Sequence, residues 1–131
     1  MMSRKHVVGV ISDTHGLFDP EIPLCFEGVS HILHAGDVGS AEVCERLRKI
    51  APVTAVSGNV DLGRSFHSFK PHHLVELFGL RIWLVHILGD PHQLPESLER
   101  ALGRLQPQVV VFGHSHQPFA AWVGPVFFFN P

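Results

Sequence analysis

The stretch HVVGVISDTHG, residues 6–16, joins a short apolar run to a polar turn. The run HVVGVI has the length and composition of a buried strand, and SDTHG closes it. Two further short strands are expected at 31–34 and 53–56, with a short helix near 24–28 and a longer one that Ser40 can cap. The order strand, helix, strand, helix, strand predicts a parallel sheet with helices on its faces, which is the α/β class.

The pattern changes in the second half of the chain. Residues 73–78 and 80–87 flank Gly79 and predict an antiparallel hairpin. Apolar residues at helical spacing over 94–105 predict an amphipathic helix, and 109–112 is a further buried strand. The tail, 119–129, predicts two short strands that turn at Gly124-Pro125.

Length and composition limit the class of protein. The 131 residues fit a single domain, 1–131, and carry a formal net charge of −2 with scattered basic residues, so no nucleic-acid polymer is expected as a partner. No apolar stretch approaches the ~20 residues of a membrane span, and the start lacks the apolar centre of a secretory signal. The two cysteines, Cys25 and Cys44, form no C-x-x-C motif. We therefore expect a cytoplasmic protein without a membrane partner.

Polar residues that bind metals follow five of the expected strands, where each strand ends. In open α/β sheets, ligands bind beyond the carboxyl ends of the strands, so these side chains are expected at one rim. In an extended chain, alternate residues point to the same side. The aspartate and histidine of D-x-H would therefore face the same way, and so would the two histidines of H-x-H. The candidate metal ligands are Asp13, His15, Asp37, Asn59, His86, His114 and His116.

This donor set combines carboxylate oxygens with imidazoles and has no thiolate, which suits Mn²⁺, Fe or Zn²⁺. Seven groups are more than one ion with open positions needs, and they fit two ions that share a bridging carboxylate. The chain has 11 histidines in total. The other seven are expected at strand ends or on the surface: His6, His31, His34, His67, His72, His73 and His92.

The ordered motifs resemble those of the calcineurin-like metallophosphoesterases, and most of all the small phosphodiesterases of the YfcE type. The motifs are ISDTHG (11–16), HAGD (34–37), SGNVD (57–61), His86 and FGHSH (112–116). The resemblance implies two packed mixed β-sheets flanked by helices, a four-layer α/β/β/α sandwich with its metal site at the strand ends. It implies that Asp13, His15, Asp37 and His116 hold one metal. It implies that Asp37, Asn59, His86 and His114 hold the other.

The resemblance also implies a reaction. A two-metal phosphoesterase would hydrolyse phosphodiester bonds of a small substrate by attack of a metal-bridging hydroxide, with Mn²⁺ favoured and Fe, Zn²⁺ or Ni²⁺ as alternatives. Asn59 and His114 would touch the phosphoryl group, and Asp61 would orient another residue, so these three are the candidate catalytic residues. The alternative is a non-catalytic scaffold or binding module that keeps the fold.

Two departures from the family pattern fall at the site. Val60 stands where many relatives carry a histidine that protonates the leaving group or orients the phosphate, and valine cannot donate a proton. Either the leaving group departs as a stabilised anion, or water or another histidine supplies the proton. His86-Ile87-Leu88 stands where relatives usually read His-Gly-His, and His92 is a candidate to replace the lost histidine.

The third departure is the end of the chain, which is shorter than in relatives. Phe127, Phe128 and Phe129 stand just before it, and alternation alone cannot bury all three. One interpretation is a strand sandwiched between layers. The other is an apolar patch that a partner chain buries, which makes a homo-oligomer an expectation.

Overall fold

Two β-sheets pack face to face with helices on their outer surfaces, so the four-layer α/β sandwich is confirmed. The computed structural model describes residues 5–58, 61 and 70–131. Within these ranges, no helix has both the length and the apolar character needed to cross a bilayer.

The smaller sheet contains β1 (Val8–Ile11), β2 (His31–His34) and β3 (Val53–Ala55) in that spatial order. Both of its pairings are parallel, as the sequence predicts. The expectation that both sheets are mixed is wrong for this one. Its strands are joined by crossovers that contain α1 (Ile22–Cys25) and α2 (Ala41–Arg48), and such crossovers return the chain in the same direction.

Helix α2 covers the outer face of the smaller sheet. Ser40 caps it as predicted, because the Ser40 hydroxyl accepts a hydrogen bond from the Glu42 N–H at 3.2 Å. Val43 and Leu47 lie one turn apart on one face and are fully buried against Ile32 of β2. This packing fixes β2, and therefore the loop that follows β2, relative to the helix.

The larger sheet is mixed. It contains β4 (His72–Leu77), β5 (Leu80–Val85), β6 (Val109–Val111), β7 (Phe119–Val123) and β8 (Val126–Asn130), in the spatial order β4-β5-β6-β8-β7. The two predicted hairpins, β4–β5 and β7–β8, are both antiparallel. Strands β5 and β6 are parallel, so their carboxyl ends lie on the same side of the sheet.

Helix α3 (Glu96–Leu105) covers the outer face of the larger sheet. It begins two residues later than the apolar spacing suggests, because Pro95 takes the N-cap position. Leu94 precedes the helix but still packs against the same apolar cluster as Leu98, which lies within α3. This cluster contains the buried Trp83. The apolar pattern therefore located the buried face correctly and the helix start less well.

The interior between the sheets is apolar and contains residues from both. The buried members are Leu33, Ala35, Val56, Ile82, Leu84 and Val111. This layer places the carboxyl ends of β1, β2, β3, β5 and β6 along one rim, where the candidate site lies.

The three phenylalanines before the chain end lie on β8, an interior strand between β6 and β7. Phe128 faces α3 and is 2 % exposed, so the sandwiched-strand interpretation holds for it. Phe127 points to the other face, where it contacts Trp122, whose side chain is 66 % exposed. The homo-oligomer expected from this apolar surface stays a prediction.

Candidate metal centre

Six of the seven predicted metal ligands lie together at the carboxyl ends of the strands, and Asn59 falls outside the described residues. They form two groups of three. The first is Asp13, His15 and His116, and the second is Asp37, His86 and His114. Within each group the candidate ligand atoms lie within 4.8 Å of one another.

The two groups meet at Asp37. Its Oδ2 lies 3.2 Å from Nε2 of His86 in its own group and 3.8 Å from Nε2 of His15 in the other. Asp13 Oδ1 likewise lies 3.9 Å from Nε2 of His86. Asp37 is 2 % exposed, so its carboxylate faces both groups from the buried side of the rim. This is the position that a carboxylate shared by two ions requires.

One oxygen of the Asp13 carboxylate accepts hydrogen bonds, and the other has no donor. Oδ2 accepts hydrogen bonds from the Ser12 hydroxyl and from the His114 N–H, the latter at 3.1 Å. Oδ1 is buried and has no hydrogen-bond partner, although Nε2 of His116 lies 3.3 Å away. A buried carboxylate oxygen without a donor is costly, and a cation among these groups would satisfy it. The residues therefore fit a metal ion.

His86 is held in one orientation by the backbone. Its Nδ1 lies 2.7 Å from the carbonyl oxygen of Ala35, and a carbonyl can only accept, so Nδ1–H is the donor. In the neutral imidazole, Nε2 then presents its lone pair toward the Asp37 carboxylate. A backbone partner of this kind fixes the tautomer and direction of a metal-binding histidine. The second group therefore also fits a metal ion.

The backbone at the site is left-handed, which corrects the expectation of extended chain at D-x-H and H-x-H. Five of the six described candidate ligands have positive φ: Asp13 at 55°, His15 at 49°, Asp37 at 54°, His114 at 71° and His116 at 59°. In the described part of the chain, only Phe78 and Gln106 share this feature among non-glycine residues. This conformation costs about 1–2 kcal/mol per residue and is typical of functional sites. Tight turns, rather than strand alternation, aim these side chains.

Asp61 connects two of the loops that carry the ligands. Its carboxylate accepts three backbone hydrogen bonds, from Val38 at 2.9 Å, Gly39 at 2.8 Å and Gly58 at 2.9 Å. The side chain is buried, and its oxygens face the backbone. The geometry favours a positioning role, in agreement with the expectation that Asp61 orients another residue; that role stays a prediction.

His92, the candidate replacement for the missing second histidine, belongs to neither group. Its ring lies against Phe119, with centroids 6.0 Å apart. Val60, the residue in place of the family histidine, lies outside the described residues.

Two groups that support the candidate ligands, the Ser12 hydroxyl and the Ala35 carbonyl, were not identified from the sequence. A hydroxyl beside an aspartate and a backbone oxygen have no recognisable sequence pattern.

His34, the last residue of β2, is fully buried behind the site. Its Nδ1 accepts a hydrogen bond from the Gly36 N–H at 3.1 Å, so Nε2 carries the proton toward the Thr14 hydroxyl at 3.0 Å. Thr14 in turn donates to the Val38 carbonyl at 2.8 Å. Burial lowers the pKa of His34 to about 4, although the nearby carboxylates, Asp61 first among them, oppose this shift. His34 therefore joins the first two loops as a neutral ring.

We expect this buried histidine to make stability depend on pH. The pKa falls from 6.5 in the unfolded chain to about 4 in the folded protein, so the stabilisation is complete above pH 6.5 and is lost as pH falls toward 4. The full loss is about 3 kcal/mol. Urea unfolding in EDTA at pH 7 and pH 4.5 should show a smaller drop for His34→Gln than for the parent. His92→Gln, at an exposed position, is the control, and equal drops in all three proteins would contradict this assignment.

A two-sheet sandwich with paired aspartate–histidine groups at its strand ends is the architecture of a metallophosphoesterase. The family model of the calcineurin-like phosphoesterase superfamily domain matches residues 7–131, and the chain belongs to this family.

Two curated relatives support the same family. A probable metallophosphoesterase of Methanothermobacter thermautotrophicus is 38 % identical over 137 residues, which cover 95 % of this chain and 75 % of that protein. The phosphodiesterase YfcE of Escherichia coli K12 is 39 % identical over 98 residues, which cover 70 % of this chain and 50 % of that protein. The chain therefore spans three quarters of the first relative and half of the second.

Solved structures share the fold. A structure described as a novel archaeal phosphodiesterase has a TM-score of 0.69 at 25 % identity and covers 95 % of this chain and 82 % of its own. Vacuolar Protein Sorting 29 from Cryptosporidium parvum has a TM-score of 0.79 at 24 % identity and covers 96 % of this chain and 73 % of its own. The second likeness shows the fold alone.

Proposed function

We propose that this protein is a metal-dependent phosphodiesterase that acts on a small substrate. The observation that carries the proposal is the pair of ligand groups that meet at Asp37, whose Oδ2 lies 3.2 Å from His86 and 3.8 Å from His15. Family membership supports hydrolysis of a phosphoric ester, and the relatives named phosphodiesterase support a diester.

The ligand assignment follows the two groups. Asp13, His15, His116 and Asp37 would hold one divalent ion, and Asp37, His86, His114 and Asn59 the other. When bound, such a pair of ions supplies a nucleophilic water at neutral pH and neutralises charge on the phosphate oxygens. Oxygen and imidazole donors without thiolate favour Mn²⁺, with Fe, Zn²⁺ and Ni²⁺ as alternatives.

The chain's own residues would then orient the substrate. His114 is exposed at the rim, and its backbone N–H is bound to Asp13, so its imidazole can reach a phosphoryl oxygen while the main chain stays fixed. Asn59 is the second candidate for this contact, on the sequence alone. Asp61 would hold the loops through three N–H groups. Because Val60 supplies no proton, diesters with stable leaving groups should be turned over fastest.

A scaffold role is the second candidate. Vps29 structures share this fold, and that of Chaetomium thermophilum was solved in complex with a cyclic peptide. Val60 and the sequence Ile87-Leu88 favour it, because both depart from the catalytic pattern of the family. The retained ligand groups favour the enzyme.

The proposal also covers the cellular compartment of the protein and its partners. We place the protein in the cytoplasm, which its two free cysteines, Cys25 and Cys44, support. The net charge of −2 supports a small substrate over a nucleic-acid polymer. The exposed Trp122 beside Phe127 supports contact with a second copy of the chain.

Hydrolysis of bis(p-nitrophenyl) phosphate beside p-nitrophenyl phosphate tests the function. We expect Mn²⁺-dependent turnover of the diester that EDTA removes and added Mn²⁺ restores, with slower turnover of the monoester. An aryl leaving group needs little protonation, so the assay does not depend on the residue at position 60. Absence of diester turnover in Mn²⁺ would contradict the enzyme and favour the scaffold.

A further inference from the structure

A groove runs along the outer face of the larger sheet beside α3. Its volume is about 490 Å³, which is within the range of small-molecule sites. Trp83, Val85 and Ile87 line one side, and Leu98 and Ala101 of α3 line the other. The walls are therefore mainly apolar. We call this surface the Trp83 groove.

The Trp83 groove begins at the candidate metal centre. Gly58 and His86 belong to its lining, and both touch the shared carboxylate. A Cβ on Gly58 would lie 2.1 Å from Oδ1 of Asp37, and Nε2 of His86 lies 3.2 Å from Oδ2 of Asp37. A phosphate seated on ions at Asp37 would thus have one ester substituent at the entrance of the groove.

The wall of the groove contains a buried donor without an acceptor. Trp83 is 1 % exposed, and its indole Nε1 has no hydrogen-bond partner in the described structure. Buried tryptophan N–H groups usually find a partner, and an unsatisfied one is destabilising. Because this nitrogen itself is buried, it offers no donor to a ligand, and the indole contributes to the groove only as apolar wall.

Two further features indicate what kind of group fits. Ile87 is 53 % exposed and adds an apolar edge to the groove. Arg104, in the last turn of α3, adds a positive charge to the lining. Apolar walls beside one cation suit a flat aromatic ring better than they suit a short alkyl group.

We propose that the Trp83 groove binds the ester substituent that stays on the phosphate, and that this substituent is an aromatic ring. This inference rests on the proposed function, because it assigns a substrate class to the same metal centre. Trp83, Ile87 and Leu98 would contact the ring.

Two diesters with the same leaving group test the proposal. We expect p-nitrophenyl phenyl phosphate to have a kcat/KM at least about tenfold above that of p-nitrophenyl methyl phosphate, because only the phenyl group buries apolar surface in the groove. Ser97→Phe places a ring at an exposed position of the groove lining, and should reduce the ratio of the two kcat/KM values to about one. Glu99→Phe, exposed on the same helix and outside the lining, should keep the preference.

A binding experiment separates failure of the groove from failure of the enzyme. In a Trp122→Phe background, Trp83 is the remaining tryptophan of the two in the chain, so its emission reports on the groove. Diphenyl phosphate added to Zn²⁺-loaded protein should change this emission, and Ser97→Phe should abolish the change.

The outcomes are distinct. An emission change without turnover of either diester would support the groove and contradict the proposed function. Equal turnover of both diesters, with no emission change, would overturn the groove and leave the function standing. No turnover and no emission change would overturn both.

Discussion

Replacing Asp37 by Asn is expected to abolish phosphodiester hydrolysis while the fold survives. Asp37 lies between the two ligand groups, so the substitution weakens both proposed ion sites at once. Loss of a residue that merely supports a metal ligand costs about 10–100-fold, so loss of a shared ligand should lower kcat/KM by more than about 100-fold. The measurement is kcat/KM for bis(p-nitrophenyl) phosphate in saturating Mn²⁺, with circular dichroism and urea unfolding of the same samples.

The matched control is Asp90→Asn, the same chemical change at an exposed loop position. Asp90 accepts a hydrogen bond from the His92 N–H, a contact that an asparagine oxygen can keep. We expect parental activity from this variant. If Asp37→Asn hydrolysed the diester as fast as Asp90→Asn, a centre built on a shared carboxylate would be wrong.

Replacing Gly58 by Ala is expected to have the second largest effect. A Cβ at this position would lie 2.1 Å from Oδ1 and 2.3 Å from the backbone nitrogen of Asp37, and the backbone atom cannot move away as a side chain could. The loops that carry Asp37 and Asn59 must therefore separate. We expect a loss of kcat/KM of at least about 100-fold, since small misplacements of catalytic groups cost this much. We also expect destabilisation of about 1–3 kcal/mol. Diester kinetics and urea unfolding provide both numbers.

Gly103→Ala is the control for this substitution. Gly103 lies inside α3, and an added Cβ meets nothing within 4 Å. Alanine is the better helix former, so this variant should be as stable as the parent or more stable, with unchanged activity. Parental activity in Gly58→Ala would show that the close approach of the two loops is unnecessary.

The fold was largely predictable because its strands are short apolar runs that end in turn residues. The parallel order of β1, β2 and β3 follows from the helices between them, and the β4–β5 hairpin follows from Gly79. The start of α3 was less predictable, because Leu94 packs into the core although it precedes the helix. Apolar spacing reports burial, and burial does not require helical backbone.

The meeting of the candidate ligands at one rim was also predictable, and the way their side chains are aimed was not. Aspartate and histidine after strand ends are visible in the sequence, and the structure brings together all six that it describes. Their left-handed backbone is not visible, because aspartate and histidine adopt this conformation more often than most residues but still in a small minority of positions. The contacts that support them, such as the Ala35 carbonyl on His86, involve backbone atoms common to every residue.

The Trp83 groove was invisible in the sequence for another reason. Its walls come from β5 and α3, which are separate along the chain, and the sequence alone does not tell how closely a helix covers a sheet. Trp83 has the pattern of an ordinary core residue, and only the structure shows that it also lines a groove.

The electron paramagnetic resonance spectrum of Mn²⁺ bound to the protein tests the central claim most directly. Protein dialysed against Mn²⁺ should hold two ions per chain, and the pair should give an exchange-coupled spectrum, because an Asp37 carboxylate that both ions share would hold them about 4 Å apart. The coupling should disappear in Asp37→Asn and persist in Asp90→Asn. A spectrum of isolated Mn²⁺, or the binding of a single ion per chain, would contradict the two-metal centre.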